Sequence, residues 1–252
     1  MDMRRAVVKL VRVGKEFNGL KVIEGLDLTV YKGEVVSLIG PSGCGKTTTL
    51  RIIAGLERCD EGYVWRNFER AAFIFQETRL LPWRTTLENI CFVLKDRILK
   101  PEERYSVAKR YLDLVGLTGF EDYYPAQLSG GMRKRLCIAR ALAIEPDLVL
   151  MDEPFSNIDL PLRLLLIDEL SEILGKKKLT AIYVTHDVRE ALLLSHRLYI
   201  LTARPMRVKE ELKIPPEVRE RREVRSLYEL EAYVTGLVKE ETLKLLNEGA
   251  PS

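Results

Sequence analysis

Histidine is almost absent from this chain, with two in 252 residues. The four cysteines, Cys44, Cys59, Cys91 and Cys137, form no C-x-x-C pair, so no zinc constellation is available. Reduced thiols in a cytosolic setting are expected. No apolar run approaches ~18 residues, which leaves no segment able to cross a membrane. The opening Met1-Asp2-Met3-Arg4-Arg5 starts no apolar signal-peptide core. A net charge of +3 is too slight to argue for nucleic acid or an anionic membrane surface. There is no internal repeat and no low-complexity segment. What remains is 46% hydrophobic and 31% charged, enough to bury a core as one large α/β domain or one domain with a lobe.

Against that plain background one stretch stands out, GPSGCGKTTTLRIIAGL from Gly40 to Leu56. Gly40, Gly45, Lys46 and Thr47 fit G-x-x-x-x-G-K-[ST], with a buried-strand pattern before the match and a helical pattern after it. Glycines let successive backbone N–H groups turn inward as an anion cradle, and the following helix adds the positive end of its dipole. Lys46 is expected to reach the outer phosphates, and the Thr47 hydroxyl to ligate the magnesium that accompanies them.

Strand signals fill the N-terminal part: 7–13, then Leu26, Leu28 and Val30 alternating with polar neighbours, then 35–39. A helix to about 56, a turn at 60–62 and a strand at 72–75 follow. From 85 to about 143 the pattern turns helical, with breaks near Lys100-Pro101, Gly116-Leu117 and Tyr124-Pro125, so this insertion reads as a helical lobe. Short apolar strands resume at 148–151, 181–184 and 198–201, with a helix at about 162–174 between the first two. Strands alternating with helices imply a mostly parallel sheet. After Pro215-Pro216 the tail is polar and then helical, with Leu227, Leu230, Val234 and Leu237 on one stripe.

Two further stretches carry chemistry. The run 148–151 ends in Asp152-Glu153, and consecutive strand residues point to opposite sides, so the two acids serve different purposes. At the carboxyl end of a parallel strand Asp152 can support the magnesium shell, while Glu153 can orient or deprotonate a water aimed at the terminal phosphate. Taken alone, two acids at a strand end are more often ordinary surface charge; joined to the phosphate loop, they read as functional. Ser129-Gly130-Gly131 presents a second nest of donors before a helix. One nucleotide needs one cradle, so the economical solution is a dimer in which this segment of one subunit closes over the phosphate loop of the other. Alone, the segment reads as a helix N-cap.

Nearly the whole chain resembles the ATP-binding subunit of an ABC transporter, with the motifs in order. Gly40 to Thr48 corresponds to Walker A, Gln76 to the Q-loop, 128–131 to the signature and 151–153 to the end of Walker B. Asp159 falls in the D-loop and His186 at the switch histidine. The resemblance implies ATP and Mg2+ as cofactors. Gly40, Pro41, Ser42, Gly43, Cys44, Gly45, Lys46, Thr47 and Thr48 would then wrap the phosphates. Phe17 would stack on adenine, and Ser129, Gly130, Gly131 and Asp159 would reach the nucleotide across a homodimer. Metal contacts fall to Thr47, Gln76 and Asp152, catalysis to Glu153, His186, Gln76 and Lys46. His196 has no evident role.

The expected fold is α/β, a P-loop nucleotide-binding fold of mostly parallel sheet plus an N-terminal antiparallel β subdomain, with an inserted helical subdomain. One ABC ATPase domain is expected over 1–252. Residues 1–84 and 144–214 would form the core, 85–143 the helical signature subdomain and 215–252 a short tail. Within the family, 75–83 and 201–205 resemble importer subunits for nitrate, sulfonate, taurine and related solutes. Leu80, Leu81 and Trp83, read as exposed, would receive the coupling helix of a membrane permease; a loop folded onto its own helical lobe is the other reading. An extracytoplasmic solute-binding protein is implied indirectly, nucleic acid is not, and the site of action is the cytoplasmic face of the membrane. Departures from the pattern include a short stretch at 62–70, Lys134 where glutamine is common, and Asn157-Ile158 for Ala-Leu. A soluble ABC ATPase acting on nucleic acid or ribosomes, and a P-loop kinase or GTPase, are the competing classes.

Overall fold

The computed structural model describes residues 5–248, so most of the opening stretch read for a leader lies outside the described residues, as do the last four positions of the tail. In chain order the strands are β1 (Ala6–Phe17), β2 (Leu20–Tyr31), β3 (Val35–Ile39), β4 (Glu61–Arg66), β5 (Ala71–Ile74), β6 (Leu148–Asp152), β7 (Thr180–Thr185), β8 (Arg197–Leu201) and β9 (Val208–Lys213). The helices are α1 (Lys46–Ala54), α2 (Thr86–Val93), α3 (Pro101–Leu114), α4 (Gly130–Ala143), α5 (Leu160–Lys177), α6 (Val188–Leu194), α7 (Pro216–Arg219) and α8 (Val224–Glu248). None of them is long and apolar enough to cross a membrane, among the described residues. The chain divides into two compact units, one from the residues up to Phe68 and from Leu174 onward, the other Glu69–Ile173.

In the first unit, β1 lies between β2 and β4 in an antiparallel sheet, and β7, β3, β8 and β9 run side by side. β3 pairs in parallel with β7 and β8, whereas β9 returns antiparallel to β8. All five β3 residues are buried, as are all of β7 and β8. A mostly apolar strand, with its few polar residues hydrogen-bonded as Ser37 is to Ser195, suits cover on both faces. The strands β4 and β9 are absent from the sequence reading. β4 is mostly exposed and β9 mostly half-buried, neither with a buried apolar face, and backbone pairing with β1 and β8 defines them instead. Arg66 secures β4 by donating to the carbonyls of Ile52 (2.5 Å) and Ile53 (2.8 Å), satisfying α1's last turn.

In the second unit β5 and β6 pair in parallel, and α2, α3 and α4 pack against one another beside β5. Local signals set the helix boundaries here. Thr85 and Glu88 form a reciprocal capping box at the start of α2. Pro101 with Glu102 and Glu103 opens α3. The core gathers Ile90, Leu94, Leu112, Leu136, Leu150 and Phe155, all fully or almost fully buried.

The tail is a helix whose Leu227 and Val234 are buried, with Leu230 and Leu237 half-buried beside them, as the apolar stripe requires. Glu241, 2% exposed, fastens it. Its carboxylate accepts from the backbone N–H of Ala203 (3.1 Å), Lys209 Nζ (2.8 Å) and Lys244 Nζ (2.7 Å). Burial pushes this carboxyl up, but the bonds from Lys209, Lys244 and Ala203 outweigh it and lower the pKa from 4.5 to about 2. Because the folded value lies below the unfolded one, the stabilisation is full above pH 4.5 and is lost as pH falls towards about 2. It amounts to about 3 kcal/mol. Glu241→Gln is expected to lower the melting temperature by about 5–10 °C near pH 7, and by roughly half as much near pH 3. An equal gap at both pH values would contradict the assignment.

Candidate nucleotide site

The first unit supplies an anion cradle. β3 ends at Ile39, and six residues later α1 begins with Gly45 as its N-cap at φ 129°. A side chain at Gly45 would strain that backbone and bring its Cβ within 3.0 Å of Val22 Cγ1. Unlike α2, α1 has no side-chain cap and no acid in its first turn, so its N-terminal N–H groups are left for an anion. Lys46, 5% exposed, curls inside the loop and donates to the carbonyls of Gly40 and Pro41, both at 2.8 Å. Thr47 and Thr48 are half-buried on the first turn; Ser42 and Gly43 are exposed at the loop's tip. Burial pushes the Cys44 thiol up, and its Sγ lies 3.8 Å from Met206 Sδ, so Cys44 packs the loop instead of reacting. Glycine cradle, bare helix start and inward lysine together fit a nucleoside triphosphate's phosphates.

The parallel register places Ile39 beside Thr185, so Gly40 and His186 each follow directly on a paired strand end. His186 is exposed, between two residues that a buried network fixes. Glu190 accepts from Tyr183 Oη (2.5 Å) and Thr185 Oγ1 (2.8 Å), while Thr185 Oγ1 accepts from Asp187 N (3.0 Å). Asp187 caps α6 by accepting from Glu190 N at 3.1 Å. Burial, and then the Glu190 carboxylate, push the Tyr183 phenol far up, so Tyr183 stays a donor. Phe17, at the end of β1, is 41% exposed with Lys15 Nζ 4.9 Å above its ring. It offers a planar face to the solvent instead of joining the core.

The second unit holds the acids and the signature segment. Phe73 pairs with Leu150 and Ile74 with Met151, so Gln76 and Glu153 each lie two residues past the last paired position of their strands. Asp152 is buried and Glu153 half-buried. Glu153 sits at φ 45°, a left-handed conformation that costs an ordinary residue roughly 1–2 kcal/mol and marks a side chain aimed by its backbone. Asn157, also left-handed at φ 62°, is a residue type that tolerates it, which accounts for asparagine there. Ser129 caps α4 by accepting from Met132 N at 3.2 Å. Gly130 is exposed, and a Cβ on Gly131 would meet Leu162 Cδ2 at 2.8 Å, so glycine is needed where α5 approaches. Asp159 is exposed and accepts from Leu162 N at 3.4 Å at the start of α5.

One sequence expectation is corrected. Trp83 is 70% exposed, but Leu80 and Leu81 are half-buried. The buried Asn89 side chain accepts from Leu81 N (2.8 Å) and donates to the carbonyls of Leu81, Arg84 and Thr85, which folds that part of the loop onto α2. The structure thus gathers Phe17, the 40–48 loop and His186 in the first unit, and Gln76, Asp152, Glu153, Asp159 and 129–131 in the second. Two residues were missed. Glu190 carries the sequence signature Asp-x-x-Glu of a capping box, which gave no hint that its carboxylate would turn to Tyr183 and Thr185. Lys134, noted only as a departure, is buried and donates to the Gln76 carbonyl at 2.6 Å.

A family model described as ABC transporter matches residues 23–156. The chain belongs to the ABC transporter family. It is an ATP-binding, ATP-hydrolysing cassette of that family. An ABC transporter ATP-binding protein of Methanocaldococcus jannaschii is 45% identical over 255 residues, covering 98% of this chain and 95% of the relative. An aliphatic sulfonates import ATP-binding protein of Pseudomonas syringae is 46% identical over 200 residues, covering 79% of this chain and 82% of the relative. Among solved structures, an ATP-binding cassette in a dimeric post-hydrolysis state bound to ADP and Pi superposes at a TM-score of 0.72. It shares 30% identity and covers 82% of this chain and 99% of that one.

Proposed function

We propose that this cassette powers uptake of a small solute, of the sulfonate, nitrate or taurine kind, through a separate membrane permease at whose cytoplasmic face it sits. The observation that carries the importer reading is the 46% identity to a chain named for aliphatic sulfonate import. Two copies sandwich two ATP molecules, each between the Lys46 loop of one subunit and the Ser129-Gly130-Gly131 segment of the other, with Asp159 at the subunit boundary. Phe17 stacks on adenine. Thr47, Asp152 and Gln76 would hold a magnesium ion, which would supply charge neutralisation at the phosphates. Glu153 takes the proton of the attacking water, and His186 contacts the terminal phosphate. Closure on ATP and reopening after hydrolysis move the permease, which hands on solute delivered by an extracytoplasmic binding protein.

Residues 85–143 act as a signature subdomain, 1–84 and 144–214 as the nucleotide-binding core. The permease engages the loop bearing Trp83. A cavity of about 450 Å³ lined by Phe73, Phe75, Phe92, Arg140 and Ile144 reaches the start of that loop at Thr78, and its aromatic walls suit a short amphipathic helix. Trp83→Ala is expected to leave ATP binding intact while weakening permease association by about 2 kcal/mol, roughly thirtyfold. Co-purification from solubilised membranes checks this; equal recovery of the permease with both chains would remove the loop from the interface.

A further inference from the structure

The segment 76–79 is a strap, with the Arg79 guanidinium 4.0 Å from the Phe75 ring centroid. Gln76, Glu77 and Arg79 are exposed, and Thr78 lines two cavities at once. One is the aromatic cavity described above. The other, about 480 Å³ and polar, is lined by Gln76, Arg133, Lys134 and Ser156. Side chains of α4 fix the strap, and they do so through its backbone. Lys134 Nζ donates to the carbonyl of Gln76 at 2.6 Å. Cys137 Sγ donates to that of Thr78 at 3.0 Å. Arg140 donates through Nη2 to Thr78 O at 3.1 Å and through Nη1 to Arg79 O at 2.8 Å. Residues 134, 137 and 140 follow at three-residue intervals, which puts each next to the last along one flank of the helix. The ladder therefore begins one turn after Gly130-Gly131 and grips three of the strap's four carbonyls.

Side chains that hold backbone carbonyls act regardless of what the strap's own side chains do. Gln76 and the exposed Trp83 lie at and just beyond the two ends of this grip. A charged donor in a buried setting forms the strongest of these bonds, because its carbonyl partner replaces lost water. Lys134 is the rung at Gln76.

We propose that Lys134, with Cys137 and Arg140, is a positioning ladder that makes the strap and the signature helix one lever, so that nucleotide contact at Gly130 and docking at Trp83 report on each other. This deepens the function proposed above, taking from it the roles of the two ends. The ladder is testable on the cassette alone, without the permease. The chain has two tryptophans, and Trp65→Phe leaves Trp83 as the single reporter. In that background, with Glu153→Gln to prevent turnover, MgATP is titrated against Trp83 emission, and ATP affinity is measured separately by equilibrium dialysis.

The chain with Lys134 is expected to show an ATP-dependent change at Trp83. Lys134→Met, which keeps length and removes the donor, is expected to cut its amplitude at least about fivefold, with the ATP Kd moved less than about threefold. Lys134→Gln, which restores a neutral donor and is common at this position in the family, should recover at least about half of it. With Glu153 intact, Lys134→Met should lower kcat about tenfold and leave KM within about threefold, the signature of an interaction used after binding. Full amplitude in Lys134→Met, or no ATP-dependent change at Trp83 in the parent while ATP is bound, overturns the ladder. Failure of Trp83→Ala to weaken permease recovery overturns the docking assignment alone, because no permease enters the fluorescence assay.

Discussion

Glu153→Gln is expected to lower ATP turnover by about 10²–10⁴-fold while ATP binding persists, the range lost when a positioned general base is removed. β6 delivers two acids in succession, and their environments separate their duties: Asp152 is buried at the strand end, whereas Glu153 is only half-buried and held in a left-handed conformation. A glutamine preserves shape and hydrogen-bonding reach but cannot accept the water's proton. The ATP-bound, closed dimer should therefore accumulate, visible as a doubling of mass on size exclusion with ATP. Turnover within about threefold of the parent would remove Glu153 from the role of base.

Lys46→Met should weaken ATP binding by roughly 10²-fold or more, since hydrogen bonds to charged groups contribute about 1.5–3 kcal/mol each and Lys46 brings a charge as well. The lysine is almost wholly buried inside the glycine loop, where it donates to the carbonyls of Gly40 and Pro41. In the proposed role it would exchange these weak dipoles for the full charge of an incoming anion. An unchanged Kd for ATP in a folded Lys46→Met chain would contradict the cradle.

Much of this was legible in the sequence because the relevant signals are local. Four apolar residues among the five at 35–39, broken only by the small Ser37, mean a strand covered on both faces, and the residues that follow mean a tight turn into a helix start. The same holds for 148–153, where an apolar strand runs straight into two acids. The breaks at Pro101, Gly116 and Pro125 fell where the helical lobe changes direction because proline and glycine act on their own backbone. β4 and β9 were not legible, since neither buries a consistent face and each exists through its partner strand. Leu80 and Leu81 read as exposed because the fold of their loop is held at Leu81 by Asn89, eight residues further on and itself buried in α2. The grip of Lys134 on Gln76 spans 58 residues and ends on a carbonyl, which carries no side-chain signature at all.

The most direct test of ATP-driven uptake through a separate permease is recovery of a tagged Glu153→Gln chain, with ATP present, from detergent-solubilised membranes of its own host. A multi-span protein recovered in equal amount, and lost when Trp83→Ala is added, is the expected result. Recovery of soluble proteins or nucleic acid in its place, with no membrane protein, would leave the cassette an ATPase and contradict its role in transport.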